Sequence, residues 1–382
     1  MHQTRRSAVH PPGRRVPSPD LGRETAITTI AHPESARVTV GVDTHGEVHV
    51  ASARDQLGRR VAITLVPTSP AGYQHLLDWA RQLGEVAAFG IEGTGSYGAA
   101  LARFLRANGQ QVFEVNRPDR ATRRRKGKSD PLDADAAARA VQAGDAAGLP
   151  KAGTGTVEML RVLRVARQSA LKARTQATNA LRALLVTAPA ELREQLRGLS
   201  KTALPRTAAA LDPGKLTSPT AATMLALRTL GQRHAALSAE LTALEAEINR
   251  LVARHAAPLL ALFGVGPDSA SALLVAAGDN PERLCSEAAF AALCGVSPVE
   301  ASSGKTIRHR LNRGGDRQAN AALYRIVLVR LRWHQPTKDY MARRVAEGKT
   351  TKEVIRCLKR YLAREVFAVL TQTGQTNHSD AA

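Results

Sequence analysis

Apolar positions recur with a period of two in the front third of the chain and of three to four behind it. Residues 37 to 43 (RVTVGVD), 47 to 54 and 59 to 66 alternate β-branched or small residues with polar ones, with a turn at Gln56 to Gly58. This pattern predicts three hairpin-linked strands. Pro70 then opens a helix over 70 to 83, with Leu76, Leu77, Trp79, Ala80 and Leu83 at helical spacing. VAAFGIE (86 to 92) reads as a buried strand, 96 to 109 as a helix stopped by Gly109, and 111 to 115 as a fifth strand. An Ala-rich segment starting at Asp130 predicts the next helix. Three hairpin strands followed by alternating helix and strand describe an α/β domain with a mixed sheet.

Residues 146 to 156, rich in Gly, Ala, Pro and Thr, predict a linker. A long helical pattern follows over 157 to 185, carrying Leu160, Leu163, Leu171, Leu181, Leu184 and Leu185. Pro189, Pro205, Pro213 and Pro219 break the next stretch into a short helix and loop. From about 220 to 256, Leu227, Leu230, Leu237, Leu241, Leu244, Ile248 and Leu251 recur at alternating spacings of three and four. Such heptads suit a coiled coil between subunits, the functional reading, or equally an antiparallel pair within one chain. Residues 262 to 279 (LFGVGPDSASALLVAAGD) have the Gly-Val-Gly turn and small-residue helix of a helix-hairpin-helix element. That turn can present N–H groups to phosphate, or simply join two helices. Residues 286 to 296 predict a short helix, and 319 to 333 and 352 to 370 basic amphipathic helices. The expected divisions are a basic tail at 1 to 35, a first domain at 36 to 150, a helical region at 151 to 257, a last domain at 258 to 371 and a polar tail at 372 to 382.

Composition adds a partner. The 382 residues hold 54 Lys or Arg against 33 Asp or Glu, a net charge of +21, which favours nucleic acid over an acidic protein or a membrane. More than half of that excess falls within residues 305 to 364. With aromatics at 3%, phosphate contact by Arg and Lys is expected rather than base stacking. Cys285, Cys294 and Cys357 are too few and scattered for a disulfide framework or metal knuckle, so they are expected as reduced, mostly buried thiols. The absence of a long apolar run or signal-peptide pattern leads to the expectation of a soluble, cytoplasmic, nucleoid-associated protein.

Two stretches carry chemistry. Asp43 ends the first strand, Glu92 ends the fourth, and Asp130 and Asp133 lie one turn apart at the start of a helix. Four converging carboxylates repel one another unless a hard cation compensates, which implies Mg²⁺ or Mn²⁺. The plainer reading is a surface helix capped by Ser129 or Asp130 behind a solvated loop. The run RPDRATRRRKGK (117 to 128) delivers cations to this point, with Arg123, Arg124, Arg125, Lys126 and Lys128 as nucleic-acid contacts. The second stretch is SPVEASSGKTIRHRLNRGGDRQAN (297 to 320), where a serine stands beside Lys305, Arg308, His309 and Arg310. Such a serine could attack a phosphodiester with cations stabilising the developing charge, although no local base is evident and turn serines commonly bond nearby backbone. Lys305, Arg308, Arg310, Arg313 and Arg317 are its nucleic-acid contacts.

The order GVDTHGE, GIEGTGSYG and KSDPLDADAAA resembles the N-terminal half of the IS110/IS1111 family of insertion-sequence transposases, and 297 to 320 resembles the signature of its C-terminal domain. The resemblance spans roughly residues 38 to 370. It implies an α/β RNase H-like (RuvC-like) N-terminal domain, a helical coiled-coil linker, and a mostly α C-terminal domain with the helix-hairpin-helix-like element. By the same resemblance an Asp, Glu, Asp, Asp tetrad falls on Asp43, Glu92, Asp130 and Asp133, and the nucleophilic serine on Ser303, with Ser302 adjacent. Pro131 departs from the family pattern but is acceptable in a first helical turn. Asp135, two residues from Asp133, should point elsewhere. The implied activity is a DNA transposase or recombinase using a covalent 5′-phosphoserine intermediate, acting on donor and target DNA under a bridge RNA, as a homodimer or homotetramer. Two alternatives stay open: a RuvC-like, structure-selective endonuclease using metal-activated water, and a non-catalytic nucleic-acid-binding protein.

Overall fold

The computed structural model describes residues 37–115, 129–146, 148–280, 283–306 and 308–379, with side chains through Gln372. The expected tail at 1 to 35 and the basic run with Arg123, Arg124, Arg125, Lys126 and Lys128 lie outside the described residues. The chain opens with β1 (Arg37–Asp43), β2 (Val48–Asp55), β3 (Arg60–Pro67), α1 (Pro70–Leu83), β4 (Glu85–Glu92), α2 (Ala99–Ala107), β5 (Val112–Val115) and α3 (Asp130–Gln142). The sheet order is β3-β2-β1-β4-β5. β1 pairs antiparallel with β2 and parallel with β4, and β4 pairs parallel with β5, so the sheet is mixed as expected.

Alternation along the strands assigns two faces. Val40, Val42, Ala51, Ala53, Phe89 and Ile91 pack with Leu76, Leu77, Leu101 and Leu105 of α1 and α2. Gly41, Ser52 and Gly90 therefore look the other way, toward α3. There the helix lies almost on the backbone. A Cβ built on Gly41 would stand 2.0 Å from Ala134 O and 2.2 Å from Ala138 N, and one on Gly90 would stand 2.9 Å from Ala137 O. The Ala-rich face of α3 and two glycines in the sheet together make this close approach possible.

Residues 148 to 155 form a docked connector rather than a loose linker. Ala152 N donates to Asn280 Oδ1 at 3.0 Å, Arg283 Nε donates to Leu149 O at 3.0 Å, and Lys151 Nζ donates to Val275 O at 2.5 Å. Arg283 also pairs with Glu114 of β5 at 3.5 Å, tying the sheet domain to the rear one. Next come α4 (Thr156–Val186), α5 (Ala190–Arg197), α6 (Ala203–Ala209) and α7 (Pro219–His255). Val157 and Leu160 of α4 share a core with Ile248, Leu251 and Val252 of α7, whereas Leu181 and Leu185 pack with Leu227. The two long helices thus run antiparallel within one chain, which accounts for the leucine stripe without a second subunit. The proline-broken stretch between them holds two short helices where one was expected. Each buries leucines: Leu192 and Leu196 on α5, and Leu204 on α6.

The last domain contains α8 (Ala257–Leu260), α9 (Pro267–Ala277), α10 (Glu287–Leu293), a two-stranded hairpin of β6 (Val299–Glu300) and β7 (His309–Arg310), then α11 (Arg317–Trp333), α12 (Gln335–Ala346) and α13 (Thr351–Ser379). The hairpin and α12 are additions to the sequence expectation, and the backbone of α13 stays helical beyond Leu370 into the expected polar tail. The Gly264 turn, at φ 80, leans on α11, and Arg330 Nε donates to Phe263 O at 2.9 Å while its guanidinium grips Glu365 at 2.7 and 3.0 Å. Cys294 is buried and Cys357 half-buried, but Cys285 is exposed, correcting the expectation of mostly buried thiols. Among the described residues no helix is long and apolar enough to cross a membrane.

Candidate metal centre and serine hairpin

Three elements end at one place. β1 and β4 run parallel with Val42 opposite Ile91, so Asp43 and Glu92 are adjacent strand-end residues. Each follows its α3-facing glycine by two positions, and so both emerge on the face that α3 covers. Pro131 in the first turn of α3 leaves Asp130 and Asp133 on that same face, as the spacing of three requires. Asp43 and Asp133 are 7% exposed, while Glu92 and Asp130 are half-buried. Thr44 fastens the two strand ends by donating its hydroxyl to Glu92 O at 2.8 Å.

His45 completes the cluster, and the sequence reading passed over it. Its Nε2 lies 3.1 Å from Asp43 Oδ2 and 3.5 Å from Asp130 Oδ2. Ligand atoms of Asp43, His45 and Asp130 all lie within 4.8 Å of one another. The signal was present in the string GVDTHGE, where a histidine two residues past a strand-end acid can curl back toward it. Burial pushes the Asp43 carboxyl above its usual range, partly opposed by His45 and reinforced by the negative charges of Asp133 and Asp130. Such mutual repulsion among hard oxygen donors is what a divalent cation relieves, so the donor set fits a Mg²⁺ or Mn²⁺ ion.

Asp135 stands apart, as its spacing suggested. Arg54 Nη1 donates to both of its carboxylate oxygens at 2.8 Å, and Arg139 Nη2 adds a bond at 2.9 Å. Arg54 also donates to Gly58 O. This buried pair pins α3 to β2. On the opposite face His49 is fully buried, its Nδ1 receiving the backbone N–H of His45 at 3.3 Å and its ring stacked on Tyr73 at 5.8 Å.

The serine stretch forms the β6–β7 hairpin. Ala301 N donates to Arg308 O at 2.8 Å, and Ser303 and Thr306 exchange backbone bonds at 3.1 Å across the turn. Gly304, at φ 55, supplies the left-handed turn residue. The two serines differ in what they do. Ser302 Oγ accepts from Arg308 N at 3.1 Å, which makes it part of the hairpin, while Ser303 sits exposed at the tip. At the hairpin's base, His309, Arg310 and Arg313 join Lys349, Arg356 and Lys359 around a cavity of about 790 Å³ facing α13. Lys305, Arg308 and Arg317 are also exposed. The acids and Ser303 thus occupy separate domains of the chain.

Comparison with known proteins follows this division. A family model of DEDD transposases of the IS110 type, described as a transposase, matches residues 40–188, the sheet domain with α4. A second, described as transposase of the IS116/IS110/IS902 family, matches residues 256–342, which hold the hairpin and α11. The "Insertion element IS110 uncharacterized 43.6 kDa protein" of Streptomyces coelicolor is 31% identical over 165 residues, 42% of this chain. That alignment spans 40% of the relative's length. Both halves of the chain, each with its own chemical candidate, lead to one assignment: the protein belongs to the IS110 family of transposases.

Proposed function

We propose that the protein is a DNA transposase that cuts and rejoins strands with an acidic, divalent-cation site and a serine nucleophile. The convergence of Asp43 and Asp130 on His45, with Asp133 close enough to perturb Asp43 and Glu92 on the adjoining strand end, carries this reading. A mixed sheet with helices on both faces suits an RNase H-like domain of the RuvC kind. Asp43, Glu92, Asp130 and Asp133 would hold a Mg²⁺ or Mn²⁺ ion, whose chemistry there would be to polarise the scissile phosphate and offset its charge. The chain's own residues do the rest.

Ser303 is the nucleophile, because its hydroxyl is exposed at the hairpin tip while that of Ser302 bonds the hairpin backbone. Its Oγ bonds to phosphorus as the bond to the 3′-oxygen breaks. The serine proton passes to solvent, and the departing 3′-oxygen takes one up. The phosphate stays joined to the 5′ end as a phosphoserine, so a 3′-hydroxyl from another strand can displace the serine without ATP. Lys305, Arg308, Arg310, Arg313 and Arg317 hold the phosphate backbone around that point, and His309, Lys349, Arg356 and Lys359 of the neighbouring cavity extend the track. Because the acids and Ser303 lie in different domains, the reaction assembles them across domains or between copies in a homodimer or homotetramer. A structured guide RNA is the proposed source of target choice.

Incubating the protein with plasmid DNA bearing the element's ends, in Mg²⁺, and denaturing before electrophoresis tests the reading. A covalent protein–DNA adduct is expected from the wild type and from Ser302→Ala, and none from Ser303→Ala or Asp43→Asn. Adduct-free cleavage by Ser303→Ala would instead establish a nuclease using metal-activated water. Sequencing RNA that copurifies with the protein tests the guide: a single structured species from the element's non-coding end is expected.

A further inference from the structure

We infer that His45 is itself a metal ligand, turning the acidic centre into a mixed oxygen–nitrogen site that favours first-row transition ions such as Mn²⁺ over Mg²⁺. This rests on the proposed acidic metal site and assigns it a ligand of a different chemical kind. Geometry comes first. An octahedral ion with ligands at about 2.1 Å sets adjacent ligand atoms about 3 Å apart and opposite ones about 4.2 Å apart. His45 Nε2 stands 3.1 Å from one Asp43 oxygen and 3.5 Å from one Asp130 oxygen, the separations of neighbouring corners. Both carboxylates thus stand about one coordination edge from the imidazole nitrogen, and with all three ligand atoms within 4.8 Å of one another, turning a carboxylate inward would bring them into one coordination sphere.

The backbone that carries the imidazole is also held in place, as that of a ligand must be. Immediately before it, Thr44 bonds Glu92 O across to β4. His45 N donates to the buried His49, and His45 O accepts from Thr68 Oγ1 at 3.4 Å. Three elements thus fix the backbone from which the ring reaches the acids. A surface histidine paired with an acid by chance has no need of such anchoring. The ring stays 43% exposed, which leaves the centre open to solvent on the His45 side.

The donor chemistry determines the ion. Mg²⁺ keeps oxygen ligands and sheds water reluctantly, whereas first-row transition ions accept imidazole readily. A nitrogen ligand beside two carboxylates therefore raises affinity for Mn²⁺ more than for Mg²⁺.

Metal-stripped full-length protein titrated with Mn²⁺, and examined by electron spin-echo envelope modulation, reads the ligand directly. Wild type should show ¹⁴N modulation from a bound imidazole, replaced by the ¹⁵N signature in protein labelled with [¹⁵N]histidine. His45→Gln should lose that signal and bind Mn²⁺ roughly ten-fold or more weakly, while Mg²⁺ affinity falls much less. Circular dichroism checks that His45→Gln keeps the fold. Tight Mn²⁺ binding without nitrogen modulation, or equal losses of Mn²⁺ and Mg²⁺ in His45→Gln, would overturn the inference and leave the acidic site standing. Mn²⁺ binding unchanged in Asp43→Asn would instead overturn the acidic site, and this inference with it.

Discussion

Asp43 and Asp135 are both buried acids between α3 and the sheet, yet their surroundings give them opposite effects on stability. Asp135 is neutralised by a two-oxygen grip from Arg54, so Asp135→Ala strands a buried guanidinium. It should cost about 3–5 kcal/mol in urea denaturation. Asp43 is burdened by burial and by the charges of Asp133 and Asp130, and its carboxyl is held above the ordinary 3.8. The folded chain then binds the proton more tightly than the unfolded one, and stability falls as pH rises from that value. At neutral pH in EDTA, Asp43→Asn should therefore denature at higher urea than the wild type. Added Mn²⁺ should reverse the order, because only the wild type gains from the ion. Fully buried His49 and half-buried His255 titrate with the other sign. Burial holds His49 and His255 below the ordinary 6.5, so the unfolded chain takes up protons first and stability falls as pH drops below about 6.5. Denaturation midpoints at pH 7.5 and 5.5 should differ less in His255→Gln than in wild type.

At the scale of elements, the site is set by how closely α3 lies on the sheet. Gly41→Ala places a methyl carbon 2.0 Å from Ala134 O, a contact that only lifting the helix can relieve. It should cost roughly 1–3 kcal/mol, or somewhat more, by thermal denaturation. It should also weaken Mn²⁺ binding although no ligand has changed. Periodicity made most of these elements legible. The five strands, α1, α3 and both long helices fall within a residue or two of where alternation and leucine spacing place them. The two-residue strands of the serine hairpin were not legible, because four strand residues carry no period and their pairing depends on the Gly304 turn. The acids could be read because strand ends and a helix start are positions, fixed by sequence order. His45 was harder to read, because its place beside the acids arises from a loop closing back on the strand it leaves. The leucine stripe of α7 was ambiguous for a different reason: a heptad seam looks the same whether its partner is another chain or α4 of its own.

For the whole molecule, charge and domain linkage set the behaviour. If Arg310 and Arg313 each contact one phosphate, the double variant Arg310→Ala/Arg313→Ala should flatten the slope of log affinity against log salt by about 1.8 on duplex DNA. Filter binding across 50 to 200 mM salt measures this; an unchanged slope would place the nucleic acid elsewhere. The docked connector, through Asn280 and Arg283, makes the acidic domain and the serine domain neighbours held by specific bonds. In the proposed mechanism, the motion that brings Ser303 to the acids would then come from the hairpin, from breaking those bonds, or from a second copy. The glycine seat of α3 reaches furthest beyond a single molecule. Mobile elements leave many damaged copies in a genome, and a copy is readily taken as intact when its acids and its serine survive. A copy with any larger residue in place of Gly41 or Gly90 would keep the proposed acids and serine yet lose the seat on which α3 aligns the acids, so these two silent positions help separate a living element from a fossil.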